Sequence, residues 1–363
     1  MQPATSSELR IAPVTTDCDY ELFLSLPGQV YRGDPNWIAP NHDFEAAEVR
    51  GKTPFAAHTR LQPFVAERGG KPVARAIALH DPVFDAHWGE KAGHMAMFEA
   101  MPGEEAAAIA TLDAACDWLR QHGCEYVRSG FLMGWSMPYV IDAYDRAATF
   151  LHTYNPPYYH SFLKNAGFIT ERGVVEYQVQ FTPESADRYR SLIAAAESRA
   201  ASVKPWDFAR IEQENSRFTA VFNDTFAQHW GASQMTEREM GGLTVGMRDL
   251  LVPESCAFAE VDGETAGGVY ALPDMNCVAN GRPLDHGILL IIGVREPFRK
   301  RGINLALGAR CFLGFLERGY KSASYTVVLD DNWRSRKTAE KLGCRVEKNF
   351  VIYRRDLRSS SGG

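Results

Sequence analysis

Residues 288–307, ILLIIGVREPFRKRGINLAL, combine three signals that a strand–loop–helix unit accommodates together. The apolar run 288–292 is too short for a core helix and long enough for a buried strand. Arg295, Arg299, Lys300 and Arg301 crowd the loop behind it, and Gly302 lets the main chain pass where a Cβ would obstruct. From Asn304 apolar residues return at helical spacing (Leu305, Leu307, Cys311, Phe312, Phe315, Leu316), and Gly319 supplies a stop. Such a loop aims unpaired N–H groups and the positive end of a helix at one point, with cationic side chains around it. That describes an anion site, most simply for phosphate, or else a solvated basic loop.

The order of elements around this stretch occurs twice. The first half reads as strand 9–14, helix 19–26, a turn-rich segment 31–40, hairpin 64–79, strand 93–98, helix 104–121, strand 126–133, a helix 155–166 opened by Asn155 and ended at Gly167, and strand 174–181. The second half repeats the order: 208–211 with a following helix, hairpin 258–272, strand 288–294, helix 304–318, and a helix from Asn332 to Gly343. Ala66, Glu67, Gly70 and Ala74 lie over Ala259, Glu260, Gly263 and Gly267 at one shift, 259 minus 66, or 193. The pattern predicts a duplicated domain. Residues 1–181 form the first copy, the Ala- and Ser-rich 182–205 a connector, 206–357 the second copy, and 358–363 a flexible tail. The loop after the first-half strand, EAMPGEE at 99–105, has three acids and no cation, so the first copy is expected to have lost the anion site.

A length of 363 residues suits two domains, and the net charge of −6 excludes general nucleic-acid binding, leaving the cationic loop as a local feature. Seven cysteines are scattered without CxxC spacing and read as reduced, mostly buried thiols rather than a disulfide frame or a metal site. No window approaches 18 apolar residues and the first ten residues lack an apolar signal core, so no transmembrane segment and a cytoplasmic location are expected.

The order of elements resembles the GNAT acyltransferase superfamily. The resemblance implies an α/β (α+β) fold of two tandem GNAT-like domains, each a mixed, mostly antiparallel central sheet flanked by helices. The family's first signature is Arg or Gln, two residues, Gly, one residue, then Gly or Ala. Arg299, Gly302 and Asn304 occupy those places, with Asn304 departing from the pattern. In that family the loop amides hold the pyrophosphate of coenzyme A, which implies acyl-CoA as co-substrate, no metal, and contacts from Arg299, Lys300, Arg301, Gly302, Ile303 and Asn304. The second signature is Asn, then Ala three, Tyr seven and Gly eleven residues later. Asn332, Ser335, Ala339 and Gly343 stand there, so the Asn and Gly are kept and the Tyr, commonly the acid for the leaving thiolate, is missing. The stretches NPPYY (155–159), FNDTFAQHWG (222–231), PDMN (273–276) and VLDDN (328–332) resemble tandem GNAT proteins of the bacterial ceramide synthase type. Those transfer a long acyl chain to the amine of a sphingoid base.

Acyl transfer to an amine requires a neutral amine, an adjacent thioester, a held oxyanion and a departing thiolate. Gly293 and Val294, on the fourth strand of the second copy, are the expected main-chain contacts for the pantetheine and the oxyanion. His286, preceded by Asp285, suits a weak base, or is simply an edge residue of the strand. Tyr325 replaces the missing Tyr or packs in the core. His229 and Trp230 face an apolar amine or form an ordinary packed pair. Tyr158 and Tyr159 line a long acyl chain or belong to the first core. The expected acceptor is a small-molecule or lipid amine, with an acyl carrier protein as an alternative donor and peripheral contact with the inner membrane for a lipid substrate. Acetyl transfer to a small polar amine and CoA binding without catalysis are the competing readings.

Overall fold

The computed structural model describes residues 8–131 and 137–357; the start of the chain, the expected tail 358–363 and the end of the expected strand 126–133 lie outside the described residues. In chain order the elements are β1 (Leu9–Pro13), α1 (Asp17–Ser25), α2 (Pro27–Val30), α3 (His42–Val49), β2 (Arg60–Arg68), β3 (Lys71–His80), α4 (Pro82–Trp88), β4 (Ala92–Ala100), α5 (Glu105–Gln121), β5 (Tyr126–Ser129), β6 (Tyr139–Val140) and α6 (Tyr159–Asn165). They continue with β7 (Ile169–Gln180), α7 (Ser185–Glu197), β8 (Ala201–Pro205), α8 (Ile211–Phe226), α9 (Glu237–Leu243), β9 (Ala257–Val261), β10 (Glu264–Pro273), α10 (Met275–Ala279), β11 (His286–Val294), α11 (Ile303–Glu317), β12 (Ser322–Leu329), α12 (Trp333–Lys341) and β13 (Arg345–Asp356).

Two compact units form, one from residues up to 172 together with those from 350, the other from 173–349. In the first, β1 to β5 lie side by side in chain order, and residues 353–356 of β13 pair antiparallel with β5. In the second, the order is β7, β12, β11, β10, β9, β8. The duplication is visible in the registers. Leu9 pairs with Arg68 in the first unit and Ala201 with Val261 in the second. The parallel pair β4–β5 begins at Ala92 and Tyr126, and the parallel pair β11–β12 at His286 and Ser322. The last strand of each half is delivered to the other unit. Residues 174–180, expected to close the first half, pair with β12 and set Val175, Tyr177 and Val179 into the second core. Val351 and Tyr353 of β13 enter the first core.

Residues 182–205, expected as a connector, are α7 and β8 of the second unit. The face of α7 that carries Tyr189, Leu192, Ile193 and Ala196 packs on α11, with the Tyr189 and Phe312 rings 5.8 Å apart. The strand equivalent to β1 is therefore β8, and residues 208–210 are a helical turn that leads into α8. The helix expected from Asn155 begins only at Tyr159. The Asn155 side chain is buried and takes the main chain of Val140 instead, accepting from its N–H at 2.8 Å. Among the described residues no helix is long and apolar enough to cross a membrane, and no cluster of His, Cys, Asp or Glu is arranged to hold a metal ion. Cys18 is exposed and the other six cysteines are buried.

Both units share one feature that positions a site. β11 pairs with β12 only over residues 286–289 and then departs from it. β4 leaves β5 in the same way after Met95. Each departure coincides with a bulge: Leu290 is the extra residue between Tyr270–Ile291 and Ala271–Leu289, and Met97 (φ 50°) lies in the bulge of β4.

Candidate active site in the second unit

Beyond Leu289, β11 presents an edge with no strand partner among the described residues. Arg295 N–H donates to Ala266 O at 2.9 Å. Antiparallel alternation then turns the main-chain groups of Gly293 toward β10 and those of Val294 and Ile292 toward the open edge. Val294 O accordingly accepts from Arg299 Nε at 3.0 Å, away from β10. Leu290, Ile291 and Ile292 are half-buried along this edge. Of the two expected main-chain contacts, Val294 has its amide on the open side. Gly293 instead turns its Cα toward α8: a Cβ there would lie 2.6 Å from Thr225 Cγ2.

The loop after β11 turns through Lys300 (φ 67°) and Gly302 (φ 81°), and α11 starts at Ile303. Leu305 and Ala306 are the first amides to bond back, both to Gly302 O. Within the described residues the amides of Arg301, Gly302, Ile303 and Asn304 have no main-chain acceptor. The cations divide by role. Arg295 is tied to Asp224 at 2.6 Å and Arg299 to Val294 O, so both brace the scaffold. Lys300 and Arg301 are exposed, and Arg301 lies 5.9 Å over the Phe298 ring. Asn304, the departure from the usual small residue, donates to Thr338 Oγ1 on α12 at 2.6 Å. Asn332 caps α12 by accepting from Ser335 N–H at 3.2 Å.

The equivalent edge in the first unit is closed by side chains. Ala100 occupies the place of Val294, since Ala74 pairs with it as Gly267 pairs with Val294. Ala100 N–H donates to the Tyr159 hydroxyl at 2.9 Å, and Ala100 O accepts from the Tyr158 hydroxyl at 2.8 Å. Tyr31 and Tyr159 both donate to Glu99 Oε2, at 2.8 and 2.6 Å. Burial pushes the Glu99 carboxyl up to about 7. Glu104, at the start of α5, pairs with Arg68 at 3.0 Å. Tyr158 and Tyr159 thus cap a strand edge of the first unit, a place separate from the loop at 299–304.

His286 is buried at the start of β11 with both ring nitrogens engaged. Ser324 Oγ donates to Glu176 Oε1 at 2.6 Å, so its oxygen is left to accept Nε2–H from His286 at 2.9 Å, and Nδ1 accepts from the Ser322 hydroxyl at 2.7 Å. Burial holds the imidazole below its ordinary range, Asp274, Glu176 and Asp285 oppose that shift, and Arg282 adds to it. Asp285 touches this arrangement through its carbonyl, which accepts from Lys321 and Ser322 N–H. The acid hydrogen-bonded into the row is Glu176, on β7. Sequence reasoning missed Glu176, Ser322 and Ser324; their signal was the alternation of small polar residues at 322, 324 and 326.

Tyr325 is buried in the second core and shares a hydrogen bond of 2.8 Å with Ser335 Oγ on α12, the helix that carries Ala339 at the family's Tyr position. Burial raises its hydroxyl well above the usual range. His229 and Trp230 follow the end of α8, half-buried, with the His229 ring 5.3 Å from Phe226.

These registers, the departing fourth strand and the strand–loop–helix turn are those of the GNAT fold in two copies. A tandem GNAT protein from the clavulanic acid biosynthesis pathway superposes with a TM-score of 0.61 at 14% identity, covering 98% of this chain and 100% of that one. A GCN5-related N-acetyltransferase from Sphaerobacter thermophilus gives 0.57 at 14%, covering 97% and 96%. The glucosamine N-acetyltransferase region of a fungal multi-domain β-N-acetylglucosaminidase gives 0.66 at 14% over 97% of this chain, which spans 38% of that larger one. In sequence, the chain is 27% identical over 277 residues to the bacterial ceramide synthase of Caulobacter vibrioides, covering 75% of this chain and 72% of that protein. It is 21% identical to protein YghO of Escherichia coli over 93% of both. No protein-family model matches the chain.

Proposed function

We propose that the protein is an N-acyltransferase that takes its acyl group from a coenzyme A thioester, with the second unit as the working one. One contrast carries this reading. The same strand edge is open beside four free loop amides in one copy and capped by Tyr158 and Tyr159 in the other. The free amides of 301–304 with Lys300 and Arg301 suit the pyrophosphate, and the Val294 amide suits the thioester oxygen. The likeness to the Caulobacter ceramide synthase supports a long-chain acyl group and a sphingoid-type amine. The half-buried Leu290, Ile291 and Ile292 give such a chain apolar surface at the reacting edge. Incubation with acetyl-CoA and palmitoyl-CoA against sphinganine and a set of polar amines, scored by free-thiol release, tests it. Turnover with palmitoyl-CoA and sphinganine is expected. Use of acetyl-CoA alone overturns the lipid version, and release only from an acyl carrier protein moves the donor.

His286 takes no part in the chemistry within this reading: it stands at the first residue of β11 and Val294 at the last, roughly 25 Å apart at about 3.3 Å per residue, beyond the reach of an amine attacking at the Val294 end. Its bonds to Ser322 and Ser324 hold the start of β11 against β12. His286→Gln is therefore expected to lower the melting temperature while leaving the pH dependence of kcat/KM unchanged, and a shifted acidic limb in that variant would return His286 to the reaction.

A further inference from the structure

The end of α8 carries three consecutive polar residues, Asn223, Asp224 and Thr225, within the FNDTFAQHWG stretch. Two of them are spent on the scaffold. Asn223 accepts from Met235 N–H at 2.8 Å and donates to Met235 O at 2.9 Å. Asp224 pairs with Arg295, the residue after Val294, which fixes this turn of helix to the end of β11. The third is not spent. Thr225 Oγ1 is buried without a hydrogen-bond partner.

That is unusual for a helical threonine, whose hydroxyl has an easy acceptor one turn back. Thr111, Thr219 and Thr338 each donate to the carbonyl four residues earlier, at 2.8, 2.8 and 2.9 Å. Thr225 forgoes that bond and lies against Gly293. An added Cβ at Gly293 would sit 3.0 Å from its Oγ1, so glycine is what lets the hydroxyl come down onto the strand. An unmade hydrogen bond in a buried place is destabilising, and such a cost commonly persists where a ligand completes the bond. The residue it overlies adjoins Val294, whose amide faces the open edge.

We propose that the Thr225 hydroxyl is the second hydrogen-bond donor to the thioester carbonyl oxygen, beside the Val294 amide; this rests on the acyl-transfer reading above. The amine nitrogen forms a bond to the carbonyl carbon while the C=O π pair moves onto oxygen, where Thr225 and Val294 hold it. The pair returns, the C–S bond breaks with its electrons on sulfur, the nitrogen gives its proton to solvent, and the thiolate takes one from solvent. Thr225 keeps its own proton throughout. It acts from α8, whereas Ala339, in the place of the family's tyrosine, lies in the core around α11.

Thr225→Val removes the hydroxyl at nearly constant shape, and Thr225→Ser restores it. The valine variant is expected to lose about 10²-fold in kcat with the KM for acyl-CoA nearly unchanged, and the serine variant to recover most of the rate. Because an unsatisfied buried hydroxyl is gone, the valine variant should melt no lower than the parent, a combination that a merely structural residue does not give. Calorimetry with CoA and with the unreactive ketone S-acetonyl-CoA provides a readout independent of turnover. The parent should prefer the ketone, and Thr225→Val should lose that preference while binding CoA as before. An intact preference and an intact kcat in the valine variant overturn the role of Thr225 alone. A parent that does not bind CoA overturns the acyl-transfer reading and this inference with it.

Discussion

The double variant Arg301→Glu, Gly302→Asp is expected to bind coenzyme A at least about 10²-fold more weakly than the parent while melting within a few degrees of it. Three effects act in the same direction. Two negative charges replace a cation and a neutral residue at the start of α11, where a phosphate would be drawn to the helix end and the free amides of 301–304. Gly302 has φ 81°, a conformation an aspartate adopts only under strain, so the amides lose their common aim. Arg301 is also exposed and makes no ion pair within the described residues, so its removal takes little from the folded state. Isothermal calorimetry measures the loss, and unchanged affinity would remove coenzyme A from this loop. The first copy is a natural control, because acids already stand at its equivalent loop and Glu104 is already paired with Arg68.

Glu99→Gln is expected to stabilise the protein by about 2–3 kcal/mol at pH 8 and by little at pH 4. Burial raises the Glu99 carboxyl to about 7, whereas in the unfolded chain it titrates near 4.5. Below the lower value both states are protonated and the residue exerts no penalty. Between the two, the unfolded state releases its proton and the folded state holds it, so stability declines as pH rises until the folded carboxyl also ionises. Arg75 and the two tyrosine hydroxyls moderate the shift without cancelling it. A glutamine keeps an oxygen for Tyr31 and Tyr159 and has nothing to titrate. Urea midpoints of parent and variant should therefore coincide at acid pH and separate between about pH 4.5 and 7. A difference that is the same at every pH would refute the raised carboxyl.

What the sequence disclosed depended on how local each signal is. The strand–loop–helix at 288–307 was legible because period, charge and a required glycine all fall within twenty residues. The duplication was legible because hairpins and helix stops keep their spacing. The destination of residues 174–180 was not, since a strand of period two does not encode which neighbour it pairs with, and Val175, Tyr177 and Val179 suit either core. Asn155 was misread as a cap because its true partner, Val140, is fifteen residues away. The Ala-rich 182–205 resembled a connector because small residues mark both loose linkers and close helix contacts. At the site, the loop and Val294 were within reach of a motif. Glu176 and Thr225 were not, because each acquires its meaning from a strand or glycine far along the chain.

The exchange of final strands bears on how the protein can be made. On the ribosome the first unit waits for its last strand until residues 350–356 have emerged, after the whole of 173–349. Until then the edge of β5 stands uncovered and Val351 and Tyr353 are missing from the core around Leu112 and Phe162. The N-terminal half is therefore not a free-standing module, and a chain cut after Asn349 would lose order at its opposite end. Duplication supplied two similar halves, and the crossing of their strands binds the first copy's integrity to the arrival of the second.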